Sequence, residues 1–434
     1  GSEELLLEAP DGSWYGPVDF SDNDRFLLIQ QFLSVDDSRI LVLNLKSREL
    51  QLAAGDDQFP SANRALSFDR KGEGFYYITN VRGRAAELAW QPIDYRLDPD
   101  AEPEPNLIPG IAPGAKFLTL RIPWDVSDFA ISDNGKRAAF VTNEEGISRL
   151  YLMDPQNQRY SLIKGIPVGQ ISGLGFNPDN QRLAFTLSTA QPPSDVYVVE
   201  LGRRATSARA LTRWTYSEVG GLDTSDFTRP ELVHYPTFDE VKGKAREVPA
   251  FLYKPEGRGP FPVLIHLHGG PESQYRPAFS KRTQMWIAEL GVAVVAPNIR
   301  GSSGYDSVYL ALDNGRRRED AVKDIGALLD WIADQPLLDE SRVAVYGASY
   351  GGYLELASAV HYSDRLRAGV DVVGISNFVT FLENTEDYRR DFRRQEYGDE
   401  RDPEMREFLQ QISPLNNAAR IDIPLLVVQG RNDP

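Results

Sequence analysis

Four look-alike segments in the first half of the chain constrain its fold more than any other feature. They are Phe20-Ser-Asp-Asn-Asp-Arg-Phe-Leu-Leu28, Phe68-Asp-Arg-Lys-Gly-Glu-Gly-Phe-Tyr-Tyr77, Ile131-Ser-Asp-Asn-Gly-Lys-Arg-Ala-Ala-Phe140 and Phe176-Asn-Pro-Asp-Asn-Gln-Arg-Leu-Ala-Phe185. Each joins an apolar strand end to a polar turn and then to a β-rich strand. Gly and Asn suit such turns because they accept positive φ. A further short strand with alternating pattern follows at Ser38–Leu45, Ser148–Met153 and Ser194–Val199. Counted from residues 20, 68, 131 and 176, the segments start 48, 63 and 45 residues apart. Several strands per unit at that period read as propeller blades. The long middle spacing contains Asp98-Pro-Asp-Ala-Glu-Pro-Glu-Pro105, read as a surface loop. Four blades are countable, so the chain holds either a small propeller or part of a larger one. The alternative is an antiparallel sandwich with look-alike hairpins.

From about residue 235 the pattern changes. Strands are predicted at 261–267, 292–295, 342–346, 368–373 and 424–428, and helices at 282–290, 319–333 and 352–361. Continuous apolar strands between amphipathic helices indicate a mostly parallel, doubly wound sheet covered on both faces. The expected organisation is therefore propeller blades over 1–201, a connecting segment over 202–234 and an α/β domain of hydrolase type over 235–434.

Composition narrows the chemistry. Of 434 residues, 63 are acidic and 47 basic, a formal charge of −16. That argues against a general electrostatic grip on nucleic acid or on an anionic membrane. No apolar run is long enough to span a bilayer. With no cysteine, disulfides, thiolate metal sites and cysteine nucleophiles are excluded, and either a reducing or an oxidising compartment is allowed. The expectation is a soluble chain, cytoplasmic or exported. Gly1-Ser2 reads as an expression remnant, so the native N-terminus is expected to have been removed. The only histidines are His234, His266, His268 and His361.

The strongest chemical signal is Gly347-Ala-Ser-Tyr-Gly351, followed by Gly352. A β-branched run precedes it and a small-residue helix start follows, the strand–turn–helix of a nucleophile elbow. Ser349 Oγ is then expected to stand exposed above the sheet. A Gly-rich turn in any doubly wound fold is the bland alternative. The second signal is His268-Gly-Gly-Pro271 after an apolar strand. Acyl transfer needs donors aimed at the developing oxyanion. The elbow supplies the N–H of Tyr350, and Gly270 is the expected second donor. His268 is read as structural and His266 as a core residue, whereas His234 and His361 lie in no motif. The third signal is Gln429-Gly-Arg-Asn-Asp-Pro434 after another apolar strand. An acid there matches the triad carboxylate in hydrolases of chain order Ser, Asp, His. Asp433 is the candidate to orient the histidine. No histidine follows it, so the general base is expected beyond Pro434, and these residues alone are expected to be inactive. The charged stretch 383–399 could overhang the site. Arg389, Arg390, Arg393 and Arg394 could pair with a peptide carboxylate, or the segment is a solvated, self-paired helix.

Taken together, the repeats, the 268–271 and 347–352 motifs, Asn298-Ile-Arg-Gly-Ser-Ser-Gly-Tyr305, Asp320-Ala-Val-Lys-Asp324 and 430–434 carry a resemblance. The chain resembles the prolyl oligopeptidase family of serine peptidases, most closely its acylaminoacyl-peptidase and dipeptidyl-aminopeptidase-like branch. The resemblance implies a β-propeller that restricts access to an α/β-hydrolase domain, short peptides as substrates, and no metal or cofactor. It implies Ser349 as nucleophile, Asp433 as triad acid, and Gly270 and Tyr350 as oxyanion donors. It also implies about seven blades and a histidine some tens of residues past the acid. The expectation is thus a propeller shortened at its N-terminal side and a hydrolase domain ending before its histidine. Two other readings compete, an esterase on the same elbow and a non-catalytic propeller-bearing binding protein.

Overall fold

The computed structural model describes residues 4–8, 14–34, 37–56, 58–83, 85–93 and 109–433. The Pro-rich stretch 98–105 lies outside them. The chain divides into two compact units, one of residues 1–187, 194–217 and 305–307, the other of 188–193, 218–304 and 308–434.

Among its described residues the first unit holds four antiparallel sheets of four strands each. They comprise Trp14–Phe20, Phe26–Phe32, Ser38–Asn44 and Leu50–Ala54; Asn63–Phe68, Gly74–Thr79, Glu87–Pro92 and Lys116–Phe117; Asp125–Ile131, Ala138–Glu144, Ile147–Asp154 and Arg159–Leu162; and Gly169–Phe176, Arg182–Thr189, Asp195–Leu201 and Ala208–Arg213. The repeated sequence segment is the hairpin between strands one and two of every sheet. The amides of Ser21, Asp69, Ser132 and Asn177 donate to the carbonyls of Phe26, Gly74, Arg137 and Arg182 at 2.9–3.0 Å. The residue four past each repeat start is left-handed: Asp24, Gly72, Gly135 and Asn180 have φ of 54°, 65°, 65° and 60°. Only residues that tolerate that region fit there.

Alternation along the strands places a core between each pair of successive sheets. Leu28, Ile40 and Val42 of the first sheet pack with Phe75 and Tyr77 of the second. Ile78 and Leu88 of the second meet Phe140 and Met153 of the third. Ala139 and Val141, pointing the other way, meet Leu183 and Phe185 of the fourth. No sheet could bury both faces alone, so stacking side by side is what stabilises the array. These are propeller blades.

The second unit is built on a seven-stranded sheet ordered Glu231–Val241, Lys244–Tyr253, Ala293–Pro297, Phe261–Leu267, Leu338–Ala348, Ala368–Val372, Leu425–Val428. The first two strands are antiparallel to their neighbours and the remaining five run parallel. Within 202–234, residues 208–213 belong to the fourth blade and 231–234 to the first strand of this sheet. Helix Arg318–Ala333 buries Ala321, Val322, Ile325, Leu328, Leu329 and Ile332, a stripe at helical spacing that packs on the sheet. Ala293–Pro297 is buried at every position, as expected of a strand covered on both faces. Among the described residues no helix is long and apolar enough to cross a membrane.

Candidate active site

The chain winds outward in both directions from strand Phe261–Leu267, whose neighbours are Ala293–Pro297 on one side and Leu338–Ala348 on the other. In such sheets the crevice beyond the carboxyl ends of the strands, at the switch point, is where ligands bind. His268-Gly-Gly-Pro271 leaves one of the two switch-point strands and Ser349 leaves the other.

Ser349 lies between strand Leu338–Ala348 and helix Tyr350–Tyr362 with φ 56° and ψ −121°. Its residue is exposed and its hydroxyl makes no capping bond. A side chain in that region of φ is strained and persists only where the surroundings hold it. Here the Ser349 amide donates to the Val372 carbonyl at 2.9 Å, and its own carbonyl accepts from Gly352 and Tyr353 at 2.9 and 3.1 Å. The flanking glycines are required by close approach. A β-carbon on Gly347 would overlap the Gly351 backbone, and one on Gly351 would collide with the Leu267 and His268 carbonyls. This is a sharp strand-to-helix turn, the geometry that a nucleophile elbow requires.

Tyr350 opens the helix, so its N–H has no partner within the helix. Gly270, with φ 129°, stands on the loop leaving the neighbouring strand. That loop is held from below. Asn298 accepts from the Tyr275 amide at 2.7 Å and donates to the Tyr275 carbonyl at 3.0 Å. The Ser303 amide donates to the Ser273 carbonyl at 2.9 Å. Arg300, in the same stretch, spans Asp324 at 2.7 and 2.9 Å and Asp239 at 2.9 Å. The stretch 298–305 therefore braces the loop of Gly270 and ties it to helix Arg318–Ala333.

The histidines are otherwise occupied. His268 Nδ1 lies 2.8 Å from the Gly269 carbonyl and Nε2 lies 2.9 Å from Ser302 Oγ. Burial pushes its pKa down to about 4. His266 sits among the rings of Tyr275, Trp286 and Tyr346. His361 pairs with Glu319 at 3.1 Å, and His234 lies on strand Glu231–Val241. Asp433 follows Leu425–Val428, two strands from the strand of Ser349 and past the same carboxyl ends of the parallel sheet. Its carboxylate accepts from the Gln429 side-chain amide at 2.8 Å.

Sequence reasoning missed a buried ionic cluster behind the two loops. Arg318 is fully buried and bonds Asp313 at 2.5 Å, the Tyr350 hydroxyl at 3.0 Å and the Glu396 carbonyl at 2.7 Å, and it also pairs with the Glu396 carboxylate. Burial raises Asp313 to about 6, partly offset by Arg318. Glu272, two residues past Gly270, is held well above the usual carboxylate range by burial and by its hydrogen bond to Glu396. Arg318 stands in a run of three arginines, and nothing local marks it as the buried one. Of the four arginines on helix Asp387–Tyr397, Arg394 is engaged by Glu400 and Asp391, and Arg390 donates to the Thr385 carbonyl. Arg393 lies close enough to Glu272 to offset part of its shift.

The sequence model of the prolyl oligopeptidase family matches residues 277–434. A dipeptidyl aminopeptidase BIII of Pseudoxanthomonas mexicana is 34% identical over 178 residues, 40% of this chain and 26% of that protein. The dipeptidyl peptidase family member 6 of Caenorhabditis elegans is 25% identical over 389 residues, 85% of this chain and 50% of that protein. Among solved structures, a prolyl oligopeptidase B from Galerina marginata superposes with a TM-score of 0.80 at 17% identity, covering 98% of this chain and 57% of that one. A puromycin-hydrolysing peptidase of Mycobacterium tuberculosis gives 0.77 at 20% identity, covering 97% and 62%. These structures show the fold, a propeller with an α/β-hydrolase domain. The chain spans half or less of the length of the two curated relatives.

Proposed function

With residues 277–434 belonging to the prolyl oligopeptidase family, we propose that the protein is a serine peptidase of short peptides. Ser349 is the nucleophile, and the observation that carries the reading is its left-handed, exposed position at the switch point of the sheet. Its Oγ attacks a peptide carbonyl, and the N–H groups of Gly270 and Tyr350 receive the oxyanion. The Ser349 proton goes to an imidazole and from there to the leaving amine, and water then hydrolyses the ester left on Ser349. Asp433 orients that imidazole. His268 is bonded to Gly269 and Ser302, His361 to Glu319, and Asp433 to Gln429. The reading takes the imidazole from a histidine outside these residues, following the acid in the chain order Ser, Asp, His. The sequence of steps needs neither metal nor cofactor.

The test uses full-length protein, a fluorophosphonate probe and paired aminoacyl-amide and ester substrates. The expected result is labelling and amide turnover that Ser349→Ala removes, with kcat falling by at least about 10³. Unchanged labelling in Ser349→Ala, or turnover of esters alone, refutes the proposal.

A further inference from the structure

We propose that Arg318 is a positioning residue that sets the two oxyanion donors in register with each other. The inference rests on reading Gly270 and Tyr350 as those donors. The two lie on separate loops, leaving two different strands, and an oxyanion site works only if both N–H groups converge on one point. One guanidinium bonds the elbow tyrosine directly and is linked to the other loop through Glu396 and Tyr397.

Toward the elbow, Arg318 Nη1 donates to the Tyr350 hydroxyl at 3.0 Å, and that hydroxyl donates to Asp313 at 2.9 Å. The guanidinium carbon also lies 5.1 Å from the centre of the Tyr350 ring. The residue whose amide is the first donor is thus anchored through its own side chain. Toward the other loop, Arg318 Nη2 donates to the Glu396 carbonyl at 2.7 Å and the guanidinium stacks 4.7 Å from the Tyr397 ring centre. The Tyr397 hydroxyl donates to the Gly270 carbonyl at 3.4 Å. The Glu396 carboxyl, paired with Arg318, also hydrogen-bonds Glu272 on the same loop. Tyr350 and Tyr397 pack against each other at 6.2 Å, closing the circuit.

A buried guanidinium is costly, and an apolar core of the same volume is often as stable. Burying it therefore needs a reason beyond stability. The Arg318 fork is planar and rigid, so it holds its partners at fixed separations where a lysine or an apolar side chain does not. The side chains of Arg318, Tyr350 and Tyr397 are buried and are not the groups that meet the peptide. They act through the backbone groups that do.

The experiment uses the full-length protein and four variants: Arg318→Met, Arg318→Lys, Tyr350→Phe and Tyr397→Phe. The two tyrosine variants keep their rings and lose only the anchoring hydroxyls, so they decide the matter even if Arg318→Met does not fold. Expected are kcat losses of about 5- to 20-fold in each tyrosine variant with KM within about twofold, as for partial loss of an oxyanion donor. A peptide aldehyde, whose adduct with serine carries the same oxyanion, should weaken by the same factor, while a cleaved product peptide binds as before. Where Arg318→Met folds, its loss should exceed that of either tyrosine, with Arg318→Lys between. If folded Tyr350→Phe and Tyr397→Phe match the parent in kcat and in aldehyde affinity while Ser349→Ala is inactive, this inference fails and the peptidase reading stands. Full turnover in Ser349→Ala overturns both.

Discussion

Gly269 lies flat against Ser349: a β-carbon built on it would come 3.4 Å from Ser349 Cβ and 3.1 Å from the Ala348 carbonyl oxygen. Gly269 is not left-handed, so alanine there carries no backbone strain, and the contact is tight rather than impossible. The loop has to move away from the elbow by a few tenths of an ångström. Gly269→Ala should therefore fold with a loss of no more than about 1 kcal/mol. On the proposed mechanism its kcat should fall at least about tenfold, because small displacements between nucleophile and oxyanion donors are costly. Urea unfolding beside steady-state kinetics on the full-length protein separates the two effects. A fall in stability without a fall in kcat would place Gly269 outside the reacting geometry.

Gly347 behaves differently. Its missing side chain is where the Gly351 backbone runs, and neither side can yield without breaking the turn. Gly347→Ala is expected to cost more than about 4 kcal/mol, in the range where a single change removes a domain. Soluble yield and circular dichroism of the intact chain are the readout. A folded, active Gly347→Ala would show that the turn is looser than its geometry implies.

The contrast between these glycines and the rest of the site shows what a linear sequence reveals. The blade hairpins were legible because their chemistry is local. Asp24, Gly72, Gly135 and Asn180 occupy one left-handed position, within five residues of the bonds that close each turn. The elbow was legible for the same reason, since Gly347, Ser349 and Gly351 clash or fit among themselves. Arg318 was not, because nothing in the run 316–318 separates the buried arginine from the two exposed ones, and Glu396, which it also bonds, is 78 residues away. Glu272 carries no local mark either, since the carboxyl it hydrogen-bonds, Glu396, lies on the distant helix Asp387–Tyr397. Helices Phe378–Asn384 and Pro403–Ile412 went unread because one is a single short stretch and the other sits among charges that hide its apolar stripe.

Glu355 carries a prediction about pH. It lies on the elbow helix, fully buried, with both carboxyl oxygens lacking a hydrogen-bond partner among the described residues. Burial, with Asp371 nearby, raises its pKa to about 8, and burial raises Asp371 to about 6. A raised folded-state pKa means the native chain holds a proton that the unfolded chain has already released. Stability from Glu355 is then complete below the unfolded value of 4.5 and is lost as pH rises through about 8. Glu355→Gln removes the titration and keeps the shape. At pH 8.5 it should stabilise by roughly 2–4 kcal/mol, taking about 1.4 kcal/mol per pKa unit and discounting for Asp371. At pH 4.5 the two proteins should differ by less than about 1 kcal/mol. Thermal unfolding at both pH values checks this, and an equal gain at each would mean that the carboxyl is not titrating in the folded chain.

Asn298 is the last case, and two substitutions at it separate shape from hydrogen bonding. The side chain is fully buried and grips one residue by both backbone groups, accepting from the Tyr275 amide and donating to the Tyr275 carbonyl. Asn298→Ala leaves both Tyr275 groups unpaired and should cost about 2–3 kcal/mol. Asn298→Asp has nearly the same shape and retains the acceptor, yet it turns an oxygen toward the Tyr275 carbonyl and buries a charge. It should be at least as destabilising as alanine at pH 8 and milder near pH 4, where a protonated carboxyl can donate to that carbonyl. Because Tyr275 stands five residues past Gly270, both variants should lower kcat on the full-length protein more than they raise KM. Recovery of kcat relative to the parent at the same pH in Asn298→Asp, but not in Asn298→Ala, as pH is lowered would tie the effect to the donated hydrogen bond; parallel pH profiles would assign it to packing alone.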